Sequence, residues 1–230
     1  MTIKLYHLVT KRGDISTAMS PYCLKIEAIL NFKGLKFESI PLTFLEIRKQ
    51  IPEIIKTEKA LVPVLVDGDT VLQDSRVIAE YLERKYPEPS IFQGGRAVHY
   101  IAESFYYIAL SGPFFKLNIT KLRDVLDEEN RQYFVEARTK IFGDLDALGL
   151  RRDEWVVESK KAVKAIREHL KVSGKFICGE KVGYADFVIA GSLTGYQRYA
   201  PEYVDEVIFA GEDKDDTIIK DWFENMRVYF

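Results

Sequence analysis

The chain has few of the residues from which reactive or cross-linked sites are built. Two cysteines, Cys23 and Cys178, stand among 230 residues, with three scattered histidines, His7, His99 and His169. Two thiols cannot form a disulfide framework, and no Cys/His spacing suits a metal, so no metal is expected. The histidines read as surface or structural residues. Long apolar runs are also missing, so no segment spans a bilayer, and Met1-Thr2-Ile3-Lys4 lacks a signal-peptide core. The net charge is −2, which leaves no broad basic field for nucleic acid or anionic lipid. The expectation is a cytoplasmic protein with no nucleic-acid partner and no membrane insertion.

What is present is an ordinary globular balance, 47% hydrophobic and 30% charged, enough for one large domain or two modest ones. The organising stretch begins at Ser20-Pro21-Tyr22-Cys23. Ser20 is a favoured N-cap type, and Pro21 suits the first helical position. Leu24, Ala28 and Ile29 recur at helical spacing, with Lys25 and Glu27 off that face. A hydroxyl therefore stands beside free backbone N–H groups at the positive end of a helix dipole, where an anion is stabilised. A plain helix cap explains the same residues.

In chain order, Lys4 to Leu8 reads as a strand, followed by a polar loop from Val9 to Met19. The Ser20 helix ends near Gly34, a C′ residue. Leu35 to Ile40 alternates as a second strand, and Phe44 to Lys56 is helical but interrupted at Pro52. Leu61-Val62-Pro63-Val64-Leu65-Val66 is a strand opened by proline. Asp67-Gly68-Asp69-Thr70 turns it back, and Asp74 or Ser75 caps a third helix that ends by Tyr86-Pro87. Residues 88–96 form a Pro/Gly-rich linker between residues 1–87 and 97–230. Beyond it the periods are helical: 97–111, 128–148, 153–172, 184–200 and 217–229, with breaks at Gly112-Pro113 and Ser173-Gly174. The stretch from Asp205 to Asp216 reads as a solvated acidic loop.

This β-α-β-α-β-β-α order, with Ser-Pro-Tyr-Cys on the first helix and Val-Pro on the third strand, resembles the thioredoxin fold. With an all-helical second half it resembles a cytosolic glutathione S-transferase over nearly the whole chain. Four stretches carry the likeness: Ser20 to Cys23, Leu61 to Leu65, Gln73 to Leu82, and Gly183-Tyr184-Ala185-Asp186-Phe187. Within the family the chain is similar to fungal serine-type enzymes related to bacterial β-etherases. Gly183 departs from the family pattern, standing where Ser or Thr is usual and leaving only the Asp186 half of a capping box.

The resemblance implies an α/β thioredoxin-like domain joined to an all-α domain, a homodimer, and glutathione as co-substrate. It implies that Ser20 stabilises the glutathione thiolate for attack on a small hydrophobic electrophile, with ether cleavage and peroxide reduction as related outcomes. The Val62 backbone, beside a cis Pro63, would pair with the cysteinyl unit. Asp74 and Ser75 would take the γ-glutamyl ammonium and carboxylate. Lys49 would take the glycine carboxylate, with Arg48 and Lys59 as equals. The electrophile pocket would draw on Tyr107, Phe114 and Phe115 from an aromatic stretch that also includes Phe105 and Tyr106, with the Val9–Met19 loop as its other wall. Trp155 and Trp222 read as core. Rival readings are a Cys23 thiol transferase, a non-catalytic binder of apolar ligands, and a regulatory module on this fold; in glutaredoxin-like motifs the second Cys is the buried one, so Cys23 reads as structural.

Overall fold

Four strands form one mixed sheet in the order β2-β1-β3-β4. In the computed structural model, which describes residues 2–211 and 215–230, the chain runs β1 (Ile3–Leu8), α1 (Pro21–Phe32), β2 (Phe37–Leu42), α2 (Phe44–Ile55), β3 (Val64–Asp67), β4 (Thr70–Gln73) and α3 (Ser75–Lys85). β1 and β2 are parallel, joined across α1 as a crossover requires, while β3 is antiparallel to β1 and β4 to β3. Leu5 therefore sits between Ser39 and Leu65. Strand alternation divides the core. Ile3, Leu5 and Leu65 face α1 and α3, whereas Leu42 and Val64 face Ile47 and Ile51 of α2.

The second half is helical: α4 (Arg96–Tyr106), α5 (Gly112–Val125), α6 (Glu128–Phe142), α7 (Leu145–Leu150), α8 (Arg152–Ser173), α9 (Tyr184–Gln197), α10 (Pro201–Tyr203) and α11 (Ile218–Met226). α9 is buried along nearly its whole length, and α1 lies against it. Trp155 and Trp222 are core residues, 4% and 2% exposed. None of the described helices is long and apolar enough to cross a membrane.

Several expectations are corrected. α2 runs unbroken through Pro52, because Pro52 falls in its last turns and buried Ile47 and Ile51 hold the helix to the sheet. The chain then leaves through Lys56 at φ 57°. Gly112-Pro113 does not separate two helices either. Residues Tyr107–Ser111 form a π-helical turn that passes directly into α5, and this wider turn re-spaces the carbonyls that a proline ring would otherwise meet. The helix expected over 128–148 is two, parted at Gly143, whose φ of 76° ends α6. Lys25 is not on a solvent face: it is 1% exposed, since α1 is covered on both sides. The acidic loop is half helical. Residues Val204–Phe209 form a π-helical turn burying Val207 and Ile208, while 212–214, like Met1, lie outside the described residues.

Gly183 has a physical reason. A Cβ there would sit 2.5 Å from Cε1 of His99. The His99 ring takes over the missing cap: Nδ1 accepts from the Ala185 N–H at 3.3 Å, and Nε2 donates to Gln93 O at 2.9 Å. Burial lowers the pKa of His99, which favours the neutral ring this arrangement needs. Asp186 completes the start of α9 by accepting from the Gly183 and Ile177 N–H groups and from Trp222 Nε1, at 2.9, 2.8 and 2.8 Å. A coupling follows. His99→Ala should cost about 1–2 kcal/mol, as for a lost cap, and Gly183→Ser alone should also destabilise, by collision. Gly183→Ser added to His99→Ala should restore stability, and additive losses in chemical denaturation would refute the shared cap.

Candidate active site

The N-terminus of α1 opens onto a cavity of about 600 Å³ between the sheet half and the helices. Ser20 is the N-cap of α1. Its Oγ accepts from the Cys23 N–H at 3.4 Å, Pro21 follows at the first helical position, and Ser20 lines the cavity. Cys23 is wholly buried, with Sγ 3.7 Å from Tyr6 O, and burial pushes its thiol up to about 12. A thiol so placed is neither exposed nor ionised near neutral pH, which removes the glutaredoxin-like reading of Cys23.

Val62 lines the same cavity, and the Val62–Pro63 peptide is cis. The Val62 N–H and C=O have no hydrogen-bond partner among the described residues. Gln73 fixes this segment, since its amide donates to Lys59 O and Leu61 O at 2.9 and 2.8 Å. Asp74, at φ 83°, caps α3 by accepting from the N–H groups of Arg76 and Val77 at 2.8 and 3.2 Å. Ser75 is buried at the first position of α3. Neither Asp74 nor Ser75 lines the cavity itself.

Of the aromatic residues expected at the pocket, Tyr107 and Phe115 line it. Phe114 does not: it is 1% exposed in the core, edge-on to Tyr196 with ring centroids 4.7 Å apart. Lys49 is exposed outside the cavity, as is Lys59, whereas Arg48 lines it and donates to the Tyr133 hydroxyl at 2.6 Å. The Val9–Met19 loop contributes only Met19; the opposing wall is α2 and α6, through Phe44, Ile47, Tyr133 and Arg138. The loop is instead closed on itself by Asp14, which accepts from Ser16 N–H, and by the Val9–Ala18 bridge. Tyr22, stacked on Tyr107 at 5.6 Å, was missed. The only signal for it was its place beside Ser20.

Behind the cavity lies a buried ionic cluster. Lys25 Nζ donates to Glu103 Oε1 at 3.0 Å and to the Tyr184 hydroxyl at 2.8 Å, and Tyr184 donates to Glu103 at 2.7 Å. Arg76 reaches the other Glu103 oxygen at 2.5 Å. The cluster joins α1, α3, α4 and α9.

A thioredoxin-like sheet, a hydroxyl-capped helix and an apolar cleft against a helical half define a class of thiol-peptide-binding proteins. The comparisons specify it further. The family model "Glutathione S-transferase, N-terminal domain" matches residues 15–90, and "Glutathione S-transferase, C-terminal domain" matches residues 97–229. The "Glutathione S-transferase-like protein ustS" of Aspergillus flavus is 30% identical over 222 residues, covering 85% of this chain and 80% of that protein. A glutathione S-transferase of Ceriporiopsis subvermispora, CsGST63524, solved in complex with glutathione, superposes with a TM-score of 0.84 at 21% identity, covering 100% of this chain and 98% of that one. The β-etherase LigF from Sphingobium superposes at 0.69, with 20% identity over 99% and 95% of the two chains. The chain belongs to the glutathione S-transferase family.

The cluster has a pH signature. Burial pushes the Glu103 carboxyl up, but Lys25, Tyr184 and Arg76 outweigh it and hold Glu103 below the ordinary carboxylate value of 4.5. A carboxyl lowered on folding stabilises fully above its unfolded pKa and loses that contribution as pH falls through the folded one. Glu103→Gln should cost about 3–5 kcal/mol at pH 7, because Lys25 is left buried and uncompensated. The gap to the unsubstituted protein should narrow below the ordinary carboxylate range. An unchanged gap in urea unfolding from pH 7 down to the acid limit would refute the assignment.

Proposed function

We propose that this protein transfers glutathione to small hydrophobic electrophiles, with Ser20 stabilising the thiolate. The observation that carries the reading is the Ser20 hydroxyl, capping α1 on the wall of an apolar cavity. A free thiol has a pKa of about 8.5. A hydroxyl donor and the first-turn N–H groups of a helix both favour the anion. The thiol proton leaves to solvent, and the sulfur attacks the electrophile. Ser20 positions and stabilises the sulfur and forms no bond to it.

In this reading the glutathione peptide lies along the free Val62 N–H and C=O beside Pro63. Its γ-glutamyl end reaches the start of α3, where Asp74 meets the ammonium and Ser75 the carboxylate. The glycine carboxylate goes to Arg48 rather than Lys49, because Arg48 is the cation of α2 that lines the cavity. The electrophile packs on Tyr22, Tyr107 and Phe115. Residues 1–87 act as the glutathione-binding domain, 88–96 as linker, and 97–230 supply the hydrophobic side. The family relatives solved or named as glutathione transferases support this reading, and disposal of reactive apolar compounds in the cytoplasm is the role it fits.

A homodimer belongs to the same proposal. Val98, Ile101, Phe105 and Ile108 form a stripe at helical spacing, 47, 71, 41 and 82% exposed, with Val77 of neighbouring α3 at 48%. Apolar side chains in one such stripe are the signature of a partner surface, and a twofold contact repeats it on both copies.

Ser20→Ala should lower kcat for conjugation of 1-chloro-2,4-dinitrobenzene by about 10–100-fold, the worth of one hydrogen bond to a charged group, with glutathione binding by calorimetry largely kept. Cys23→Ser should stay within about twofold, as a buried neutral thiol implies. Unchanged turnover in Ser20→Ala would remove Ser20 from the mechanism, and an unsubstituted protein that binds apolar ligands without turnover would make it a binding protein. Ile101→Glu should convert a dimer to a monomer in sedimentation; a dimer unaffected by it would place the interface elsewhere.

A further inference from the structure

Among the described residues, the charges on the cavity wall are all of one sign. Arg48 and Arg138 line it, and no described Asp, Glu or Lys does. The two arginines come from different elements but stand on one wall. Arg48, read above as the cation of the glutathione subsite, comes from α2 and is held by the Tyr133 hydroxyl of α6 at 2.6 Å. Arg138 comes from α6, among Phe115, Phe134 and Phe142 of the helical half.

Arg138 has no carboxylate partner among the described residues, although most surface arginines nearby do: Arg131 pairs with Glu128, and Arg123 with Asp124 and Asp146. Its Nε is shielded from solvent and makes no hydrogen bond. The guanidinium lies over the rings of Phe134 and Phe115, 5.4 and 5.9 Å from their centroids. Those aromatic faces hold the cation in place but neutralise nothing. Burial, with Arg48 nearby, lowers the pKa of Arg138 despite the opposing effect of Tyr133. An incoming anion would relieve this unpaired, half-buried cation, and a carboxylate matches the planar guanidinium fork best.

We infer that the co-substrate of this enzyme is an apolar, ring-bearing organic carboxylate, and that Arg138 selects its charge. The ring stacks in the cleft of Tyr22, Tyr107 and Phe115, and its carboxylate meets Arg138 on the α6 side. The inference rests on the reading of the cavity as the electrophile site. It makes Arg138 a specificity-determining residue with no part in lowering the thiol pKa.

The test compares 4-chloro-3,5-dinitrobenzoate with its methyl ester, which removes the charge, adds one methyl and activates the ring more, a difference in intrinsic reactivity that the uncatalysed rate measures. With each, the glutathione sulfur bonds to the ring carbon, the carbon–chlorine bond breaks, chloride leaves, and the thiol proton passes to solvent. With rates corrected for the uncatalysed reaction, kcat/KM should favour the benzoate by about tenfold or more, as a charge-assisted pair provides. Arg138→Gln and Arg138→Met should abolish the preference by raising the KM for the benzoate. Both should leave the ester within about twofold and the glutathione KM unchanged, and Arg138→Lys should recover part of the preference. A protein that treats the two probes alike, or an Arg138→Gln variant that loses both equally, overturns the inference. A raised glutathione KM in Arg138→Gln also overturns it, by assigning Arg138 to the glycine carboxylate. Calorimetry with unreactive 3,5-dinitrobenzoate and its methyl ester gives the same comparison without turnover. A charge preference there in a protein that conjugates neither chlorinated probe would uphold the anion site while refuting the transferase reading; no preference would refute the anion site.

Discussion

The close approach of α1 to α9 is the constraint on which the site depends. A Cβ at Gly191 would stand 2.8 Å from the backbone nitrogen of Lys25, and one at Gly195 would stand 2.5 Å from Met19 O. Neither neighbour is the end of a flexible side chain, so neither can turn aside. Two glycines one turn apart on α9 thus let the chain on either side of Ser20 settle onto it, at Met19 just before and at Lys25 within α1. Arg198, just past α9, fastens the same corner by donating to Ala18 O at 2.6 Å. The position of the Ser20 hydroxyl is therefore set by a helix more than 160 residues away in sequence, as the Gly191–Lys25 contact shows.

That contact also explains the buried ions. The sheet on one side of α1 and α9 on the other leave Lys25 no solvent face, so it must find its partners inside. Glu103 and Tyr184 supply them, and Arg76 adds a second cation to Glu103. Buried ion pairs are weak contributors to stability, since desolvation offsets much of the attraction. Their effect here is geometric. The cluster admits one register of α1, α3, α4 and α9, and α1 and α3 are the helices whose first residues carry Ser20 and Ser75.

The sheet half was legible because its signals are local. Pro63 opening a strand, Gly68 in a two-residue turn at φ 62°, Asp74 capping α3 and Gly34 at φ 66° each announce themselves within a few residues, and the structure has each in place. What was not legible depended on distant neighbours. In sequence Lys25 stands only off the apolar face of its helix, and nothing local tells that α9 covers it. Gly183 looked like a defect until His99, far upstream, filled the gap. Proline misled twice for one reason: at Pro52 the packing of Ile47 and Ile51 outweighs a lost hydrogen bond, and at Pro113 a π turn absorbs the ring. Phe114 and Phe115 are adjacent and alike in sequence, yet one step around α5 sends the first into the core and the second to the cavity.

The cavity shows where such reading stops. Its wall is assembled from residues between Leu8 and Tyr199, and no single stretch holds enough of it to be recognised. A net charge of −2 over the whole chain argues against a cationic partner surface, but it averages over faces that never meet. Inside the cleft the sum is different, because among the described residues the charged side chains on the wall are two guanidiniums. Local field follows from which charges share a low-dielectric enclosure, not from their number in the sequence. Arg138 is one of many arginines until the fold places it over Phe134 and Phe115 without a carboxylate. Its unpaired charge, on the same α2–α6 wall as Arg48, is what distinguishes this cleft from a merely greasy one.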